Sequence, residues 1–214
     1  MTISKLAAIG VMISCCMGSA VADEPQKYPG DMFPPEFRTI YGGDAGAMES
    51  HAETLHQMGA KPLWHKNANQ KHTEIIRVLI QQSVGQTFAV TLNRKSDGTA
   101  TVMRKKRAYG PNVQQPAYVS TRAFKVAEPD VKALDALIEQ ATLWKHYPGG
   151  WQHDDGSICT GGIFMVAERA SAAGHGLVQG NILCEVGAKG VAVVDKLLAL
   201  GRISYVDGVY RSKN

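Results

Sequence analysis

Residues 146–162 hold the densest group of side chains that could do chemistry. Among five glycines stand the candidate ligand-binding residues His146, Trp151, His153, Asp154 and Asp155. Imidazole and carboxylate groups bind metals and transfer protons, so one hypothesis is an exported hydrolase that uses the 146–155 loop, with or without a metal. The spacing contains no HExxH, no histidine pair four residues apart and no calcium-loop pattern. We therefore predict no metal and no cofactor, and a turn-rich connector is the alternative.

A run of four cations forms the second candidate site, a basic patch of Arg104, Lys105, Lys106 and Arg107. In an exported protein it could contact an acidic partner protein, phosphorylated glycans or anionic lipid headgroups. No aromatic residues are interleaved with it, so nucleic acid is not the predicted partner. A solvated strand end that discourages edge pairing is the alternative.

Nucleophile and histidine patterns are weak. The chain has no GxSxG elbow and no SxxK motif, and the histidines at 51, 56, 65 and 72 are separated by five, nine and seven residues, which is not the spacing of one helix face. We predict isolated surface histidines, with their convergence in the fold left open. Cys159 could act as a nucleophile with His153 or His175 as its base, but a second cysteine at a matching position argues against a reactive thiol.

The leader indicates export. Lys5 precedes an uncharged apolar stretch, and Ala20, Val21 and Ala22 form a small-x-small cleavage site. We predict a signal peptide over 1–22, cleaved between Ala22 and Asp23, and a periplasmic or secreted protein without a transmembrane segment. Lipid anchoring at Cys15 fits less well, because Met12 stands where a lipobox usually has leucine.

Export leaves two cysteines, Cys159 and Cys184, and an oxidising compartment favours a disulfide between them. Facing each other on antiparallel strands, they would pair Ile163 with Gly180 and Met165 with Val178. A disulfide there would stabilise the fold by roughly 3 to 4 kcal/mol. Two free thiols in the denatured, unreduced protein would contradict it, and buried free thiols are the alternative.

That hairpin has two predicted faces. Ile163, Met165, Ala167, Val178 and Ile182 share an apolar face with the cysteines. The opposite face mixes polar and apolar residues as a partly wetted surface would: Thr160, Phe164, Glu168, Gln179, Asn181 and Glu185.

The remaining pattern predicts one α+β domain over 47–214, after an extended, Pro- and Gly-rich lead-in over 23–46. Five scattered apolar residues of the lead-in could drape over the domain: Met32, Phe33, Phe37, Ile40 and Tyr41. Helical spacing covers 47–58, strand patterns cover 74–81, 86–93, 98–105 and 118–127, and Pro129 and Gly187 begin two further helices. A last edge strand fits 203–209. Short turns between the strands predict an antiparallel sheet of about five to six strands, with two or three helices packed on one face.

The formal charge of +4 becomes +3 once Lys5 is removed, which is too mild to indicate nucleic acid. We therefore predict an exported, periplasmic, non-catalytic binding protein of the inhibitor or immunity type, whose partner is another envelope or exported protein. The exported hydrolase is the alternative.

Overall fold

The structure is a computed structural model that describes residues 31–34, 45–65, 72–83, 86–108, 118–141, 143–144, 162–183 and 186–213. Within these ranges the helices are α1 (Ala45–Gln57), α2 (Glu128–Ala141) and α3 (Ala188–Leu200). The strands are β1 (Glu74–Gln82), β2 (Thr87–Arg94), β3 (Ala100–Ala108), β4 (Tyr118–Val126), β5 (Ile163–Ser171), β6 (Gly174–Asn181), β7 (Ile203–Val206) and β8 (Val209–Ser212).

Strands β1 to β6 form one antiparallel sheet in the order β4-β3-β2-β1-β5-β6. The first four strands pair consecutively, α2 follows β4 in the chain, and β5 then pairs with β1. The turn before β3 forms as Asp97 and Gly98 predict. Gly98 has φ +81°, and the Asp97 carboxylate accepts hydrogen bonds from the Thr99 amide at 2.9 Å and hydroxyl at 2.6 Å.

Helices α2 and α3 pack side by side on one face of the sheet. Their apolar stripes recur at three- to four-residue spacing and are buried at Val131, Leu134, Ile138, Val193, Val194, Leu197 and Leu198. They contact the alternating sheet residues of that face, such as Val78, Val90 and Met165. The predicted α+β class is confirmed, with two helices sharing one face.

Helix α1 covers the opposite face. Met48, Ala52, Leu55 and Met58 pack on Leu79, Ala89, Val166 and Leu177, and Met32 and Phe33 join the same core. Hydrogen bonds fix the helix to the central strand, because Gln81 contacts His51 and donates to the Thr54 hydroxyl at 2.6 Å. Since both faces of β1 are covered, the strand is buried from Glu74 to Ile80.

The hairpin of β5 and β6 has a register two residues away from the predicted one. Met165 pairs with Gly180, and Ala167 pairs with Val178. The reason is a tight loop: Ala172 and Ala173 alone connect the strands, and Gly174 follows with φ +127°. A shift by two leaves every side chain on its predicted face, so the apolar face is confirmed as part of the core under α2 and α3.

The prediction that the other hairpin face is partly wetted is wrong for most of its described members. Phe164 is exposed, but Glu168, Gln179 and Asn181 are buried. The cause is tertiary, because α1 and residues 31–34 lie over this face, and Glu168 meets a buried arginine there.

The chain after α3 does not extend the main sheet, so the predicted edge strand is wrong. β7 and β8 pair with each other as a separate two-stranded sheet. Gln82 attaches it to β1, donating to the Tyr210 carbonyl at 3.1 Å and accepting from the Tyr210 amide at 2.6 Å. The Tyr210 hydroxyl donates to Asp195 of α3 at 2.7 Å.

None of the helices that the structure describes is long and apolar enough to cross a membrane. The longest, α2, has 14 residues, whereas a crossing takes about 20 predominantly apolar ones.

Candidate functional site

Two of the predicted sites lie outside the described residues. These are the loop residues His146, Trp151, His153, Asp154 and Asp155, and the cysteines Cys159 and Cys184. The ligand-binding loop and the disulfide therefore stay predictions.

The basic run lies in β3, where strand geometry divides it between two faces. Arg104 and Lys106 point to the α2 and α3 side, and Lys105 and Arg107 point to the α1 side, because successive residues of a strand alternate. The four cations are therefore not one continuous patch.

Arg104 stabilises the end of α3. Its Nη1 atom donates to the carbonyls of Gly201, Arg202 and Lys213 at 3.2, 3.3 and 3.2 Å. Gly201 allows the end of α3 to lie close to the sheet, since a Cβ there would lie only 3.1 Å from a methyl carbon of Val90 on β2. A buried cation at a helix C-terminus satisfies carbonyls that have no partner within the helix and complements the helix dipole.

Lys105 does the same for α1 on the other side of the sheet. Its Nζ atom donates to the carbonyls of Met58 and Gly59 at 2.7 and 2.6 Å. Burial, followed by the charge of Arg77, lowers the pKa of the Lys105 ammonium. Two adjacent residues of the run thus cap two helices on opposite faces, which is a structural role.

A partly different set of cations lies toward the outer edge of the sheet, on β3, on β4 and after α3. We call Lys106, Arg122, Arg202 and Phe124 the cationic edge. Arg122 lies directly opposite Arg104 across the β3–β4 pair. The Arg202 Cζ atom lies 4.6 Å from the centroid of the Phe124 ring, and the Arg104 Cζ atom lies 5.5 Å from it. Both distances fall in the range of cation–π attraction.

The positive charge of the cationic edge is not balanced nearby. Residues 100–126 contain six cations and no Asp or Glu. Among the residues that the structure describes, no carboxylate forms an ion pair with Lys106, Arg122 or Arg202. The pKa of Arg104 is lowered first by burial and then by the charges of Arg122 and Arg202. Like charges therefore face each other here with no counter-ion from the described segments.

The backbone of β4 is also exposed. It ends the sheet, and its outer edge pairs with none of the described strands. The nine residues of β4 include none that is fully buried, and Tyr118 and Val119 expose 57% and 39% of their surface. A long edge strand with an accessible aromatic residue presents hydrogen-bonding groups and contact area to a partner.

The buried charges of Arg77 and Glu168 are paired with each other. Arg77 of β1 lies opposite Glu168 of β5, and the Arg77 Nε atom donates to Glu168 Oε2 at 2.7 Å. The Arg77 Nη2 atom contacts the same oxygen, and Nη1 donates to the Lys61 carbonyl at 2.7 Å. His175 Nε2 lies 3.3 Å from the other Glu168 oxygen. Both members of this ion pair are fully buried.

A second network joins the ends of three strands. Glu74 bridges Arg94 at 3.1 Å and Arg169 at 2.6 Å, and Arg94 also contacts Asp135 at 2.6 Å. The network borders a cavity of about 570 Å³, in which Trp144 packs on Gly176 and lies under Arg169. Each guanidinium here has a carboxylate partner, so the network holds the sheet to α2.

Another cavity, of about 610 Å³, lies on the α1 side beside the loop that follows the helix. Of the three cations that line it, Lys61, Arg77 and Lys105, the last two are committed to internal acceptors. His65 and His72 line it, and His65 also stacks on Trp64 at 4.2 Å between ring centroids. No three His, Cys, Asp or Glu side chains of the described segments stand close enough together to hold a metal ion.

The prediction of isolated surface histidines is wrong for His51. Its side chain is 6% exposed and contacts Gln81, because the helix face that carries it lies on the sheet. His56 is half-buried.

Sequence reasoning missed Arg122, Phe124 and Arg202. One signal was present, namely the absence of acids over 100–126. Nothing in the sequence indicates that Arg202 lies beside β4, some 80 residues earlier in the chain, because that contact depends on where α3 ends on the sheet.

Comparison with known proteins does not assign the chain to a family. No protein-family model matches the chain, and no curated protein sequence is significantly similar to it. The contacts and charges of the cationic edge are therefore the observations that bear on function.

Proposed function

We propose that the protein is an exported, non-catalytic binding protein of the inhibitor or immunity type, and that it recognises another envelope or exported protein at the outer edge of β4. The observation that carries the proposal is the long, exposed, acid-free edge strand. The predicted leader over 1–22 supports export, and the expected mature product begins at Asp23.

The mode of binding follows from the strand itself. An edge strand leaves every second N–H and C=O pointing away from the sheet, and an extended segment of a partner can pair with them as an additional strand. Tyr118 at the start of β4 offers a large, amphipathic contact surface. Backbone pairing supplies affinity, and side chains on alternating positions supply specificity.

A second copy of this chain is a poor occupant of the same edge. Pairing two copies of β4 would bring Arg122 and Lys125 of each near the cations of the other, and like charges opposite each other destabilise a strand pair. The cations thus protect the edge from self-association and leave it open to a partner of opposite charge.

Matched proline substitutions test this mode. Consecutive residues of β4 direct their N–H groups to opposite edges, so of Ser120→Pro and Thr121→Pro one removes a hydrogen bond to β3 and the other removes only an outward donor. Circular dichroism and thermal melting identify the variant that keeps the fold. The partner is recovered from envelope extract with the wild-type mature protein and identified by mass spectrometry. Hydrogen exchange of the purified complex then locates the contact.

We expect the folded outward-edge variant to lose the partner, and the wild-type complex to protect β4 from exchange. Recovery of the same partner by that variant, protection confined to other elements, or the absence of any partner would contradict the proposal. Hydrolytic activity that disappears in a combined His153→Ala and Asp155→Ala variant would favour the hydrolase instead.

A further inference from the structure

We infer that the segment received by β4 is acidic, and that one of its carboxylate side chains lies beside Arg122 and Arg202. This inference rests on the proposed function and deepens it. It assigns a chemical class to the partner, a strand-forming segment with Asp or Glu at alternating positions.

The first support is the charge that the fold leaves uncompensated. Elsewhere in the described structure, Arg77, Arg94 and Arg169 each have a carboxylate partner. Arg122 and Arg202 are exposed, and within the described part of the chain neither has one. Arg104 beside them is committed to the end of α3 and adds to the local positive potential. A carboxylate would relieve this repulsion and accept charge-assisted hydrogen bonds.

The second support is the backbone that presents Arg202. This residue has φ +59°, a left-handed conformation that is uncommon outside glycine, asparagine and aspartate. Two hydrogen bonds hold it, from the Arg202 amide to the Ala199 carbonyl at 2.9 Å and from the Lys213 amide to the Arg202 carbonyl at 2.8 Å. The guanidinium is thereby placed over Phe124 by a fixed backbone, so less conformational entropy is lost when it binds.

The third support is the alternation of side chains along β4. Ser120, Arg122 and Phe124 are alternate residues of one strand and therefore share the α2 and α3 face. Lys106 and Arg104 lie opposite Ser120 and Arg122 on β3. A strand docked on β4 places its own alternate side chains along this line, which fits an acidic strand better than a flat layer of lipid headgroups.

A peptide titration tests the inference. The probe is a fluorescein-labelled nine-residue peptide in which glutamate alternates with valine, and the matched peptide has glutamine in place of glutamate. Fluorescence anisotropy measures the affinity of the mature protein for both, in low and in high salt. The variants are Arg122→Gln and Arg202→Gln, with Lys189→Gln as a control that removes an equally exposed cation from the far end of α3. Vesicles containing phosphatidylglycerol are titrated in parallel.

We expect the glutamate peptide to bind, with salt weakening the binding and β4 protected from hydrogen exchange. Arg122→Gln and Arg202→Gln should each weaken it about five- to tenfold, as the loss of one charge-assisted hydrogen bond does, and Lys189→Gln should not.

Failure of the inference and failure of the proposed function can be told apart. Equal affinity for the glutamine peptide, with β4 still protected, would overturn the acidic preference and leave strand addition intact. Binding of the glutamate peptide without protection of β4 would overturn both. Loss of affinity in Lys189→Gln equal to that of the two arginine variants, or no peptide binding at all, would overturn the acidic site. Preferential binding to the anionic vesicles, sensitive to the same two arginines, would replace the acidic protein segment with a lipid surface.

Discussion

The buried pair of Arg77 and Glu168 and the cationic edge of β4 use the same kind of cation in opposite ways. Arg77 has its guanidinium fully engaged by Glu168 and a backbone carbonyl, in the middle of the sheet and away from water. Arg122 and Arg202 are exposed beside another arginine, with no ion pair to any described carboxylate. The first arrangement is complete as it stands, whereas the second leaves exposed cations that the proposed partner would pair.

The difference teaches that charge alone does not mark a binding surface. Arg104 and Lys105 were part of the predicted basic patch, yet both cap helices inside the domain. Under the proposed function, the cations that bind a partner are those that are exposed and have no carboxylate partner among the described residues. Three perturbations can break or sharpen the comparison.

The largest effect is expected from Glu168→Gln. The substitution leaves the charge of Arg77 buried without a counter-ion, and breaking a buried ion pair from one side costs about 3 to 5 kcal/mol of unfolding free energy. Urea denaturation measures it. Glu128→Gln makes the same chemical change in the exposed pair with Lys132 and should cost much less. If Glu168→Gln costs no more than Glu128→Gln, the Arg77–Glu168 pair does not stabilise the fold as its burial implies.

An intermediate effect is expected from the two arginines that face each other across β3 and β4. Arg104→Gln removes the donor to three carbonyls at the end of α3 and should cost about 1 to 3 kcal/mol. Arg122→Gln should leave stability unchanged or slightly raised, because it removes a like-charge contact. Thermal melting of the two variants decides the matter. If Arg122→Gln destabilises as much as Arg104→Gln, the cationic edge is structural.

The smallest effect is expected at alkaline pH. Burial, followed by the hydrogen bond to Asp195, raises the pKa of Tyr210. Above pH 10 the unfolded chain releases the phenol proton and the folded chain keeps it, so the associated stability is present below pH 10 and lost as the pH rises. The loss attributable to this group is about 1.4 kcal/mol at pH 11. Urea denaturation at pH 8 and pH 11 should show Tyr210→Phe losing that much less than wild type. Parallel losses would show that Tyr210 does not titrate as its burial implies.

The local elements could be predicted from sequence because their signals are local. Asp97 and Gly98 specify a turn, Pro129 begins α2, and the alternation of Met165 and Ala167 identifies a buried strand face. The register of β5 and β6 could not, since a tight two-residue loop and an assumed disulfide give registers that differ by two and bury the same side chains. The burial of Glu168 depends on a distant helix, which no nearby residue indicates.

By itself the sequence determined the class of fold, the order of its helices and strands as far as α3, the antiparallel sheet and the apolar face of the β5–β6 hairpin, because hydrophobic period and turn chemistry act over a few residues. Only the tertiary structure decided which charges are internal and which face outward. A cation's role depends on whether an acceptor lies within hydrogen-bond reach, and for Arg77, Arg104 and Arg202 the groups that decide it come from far along the chain.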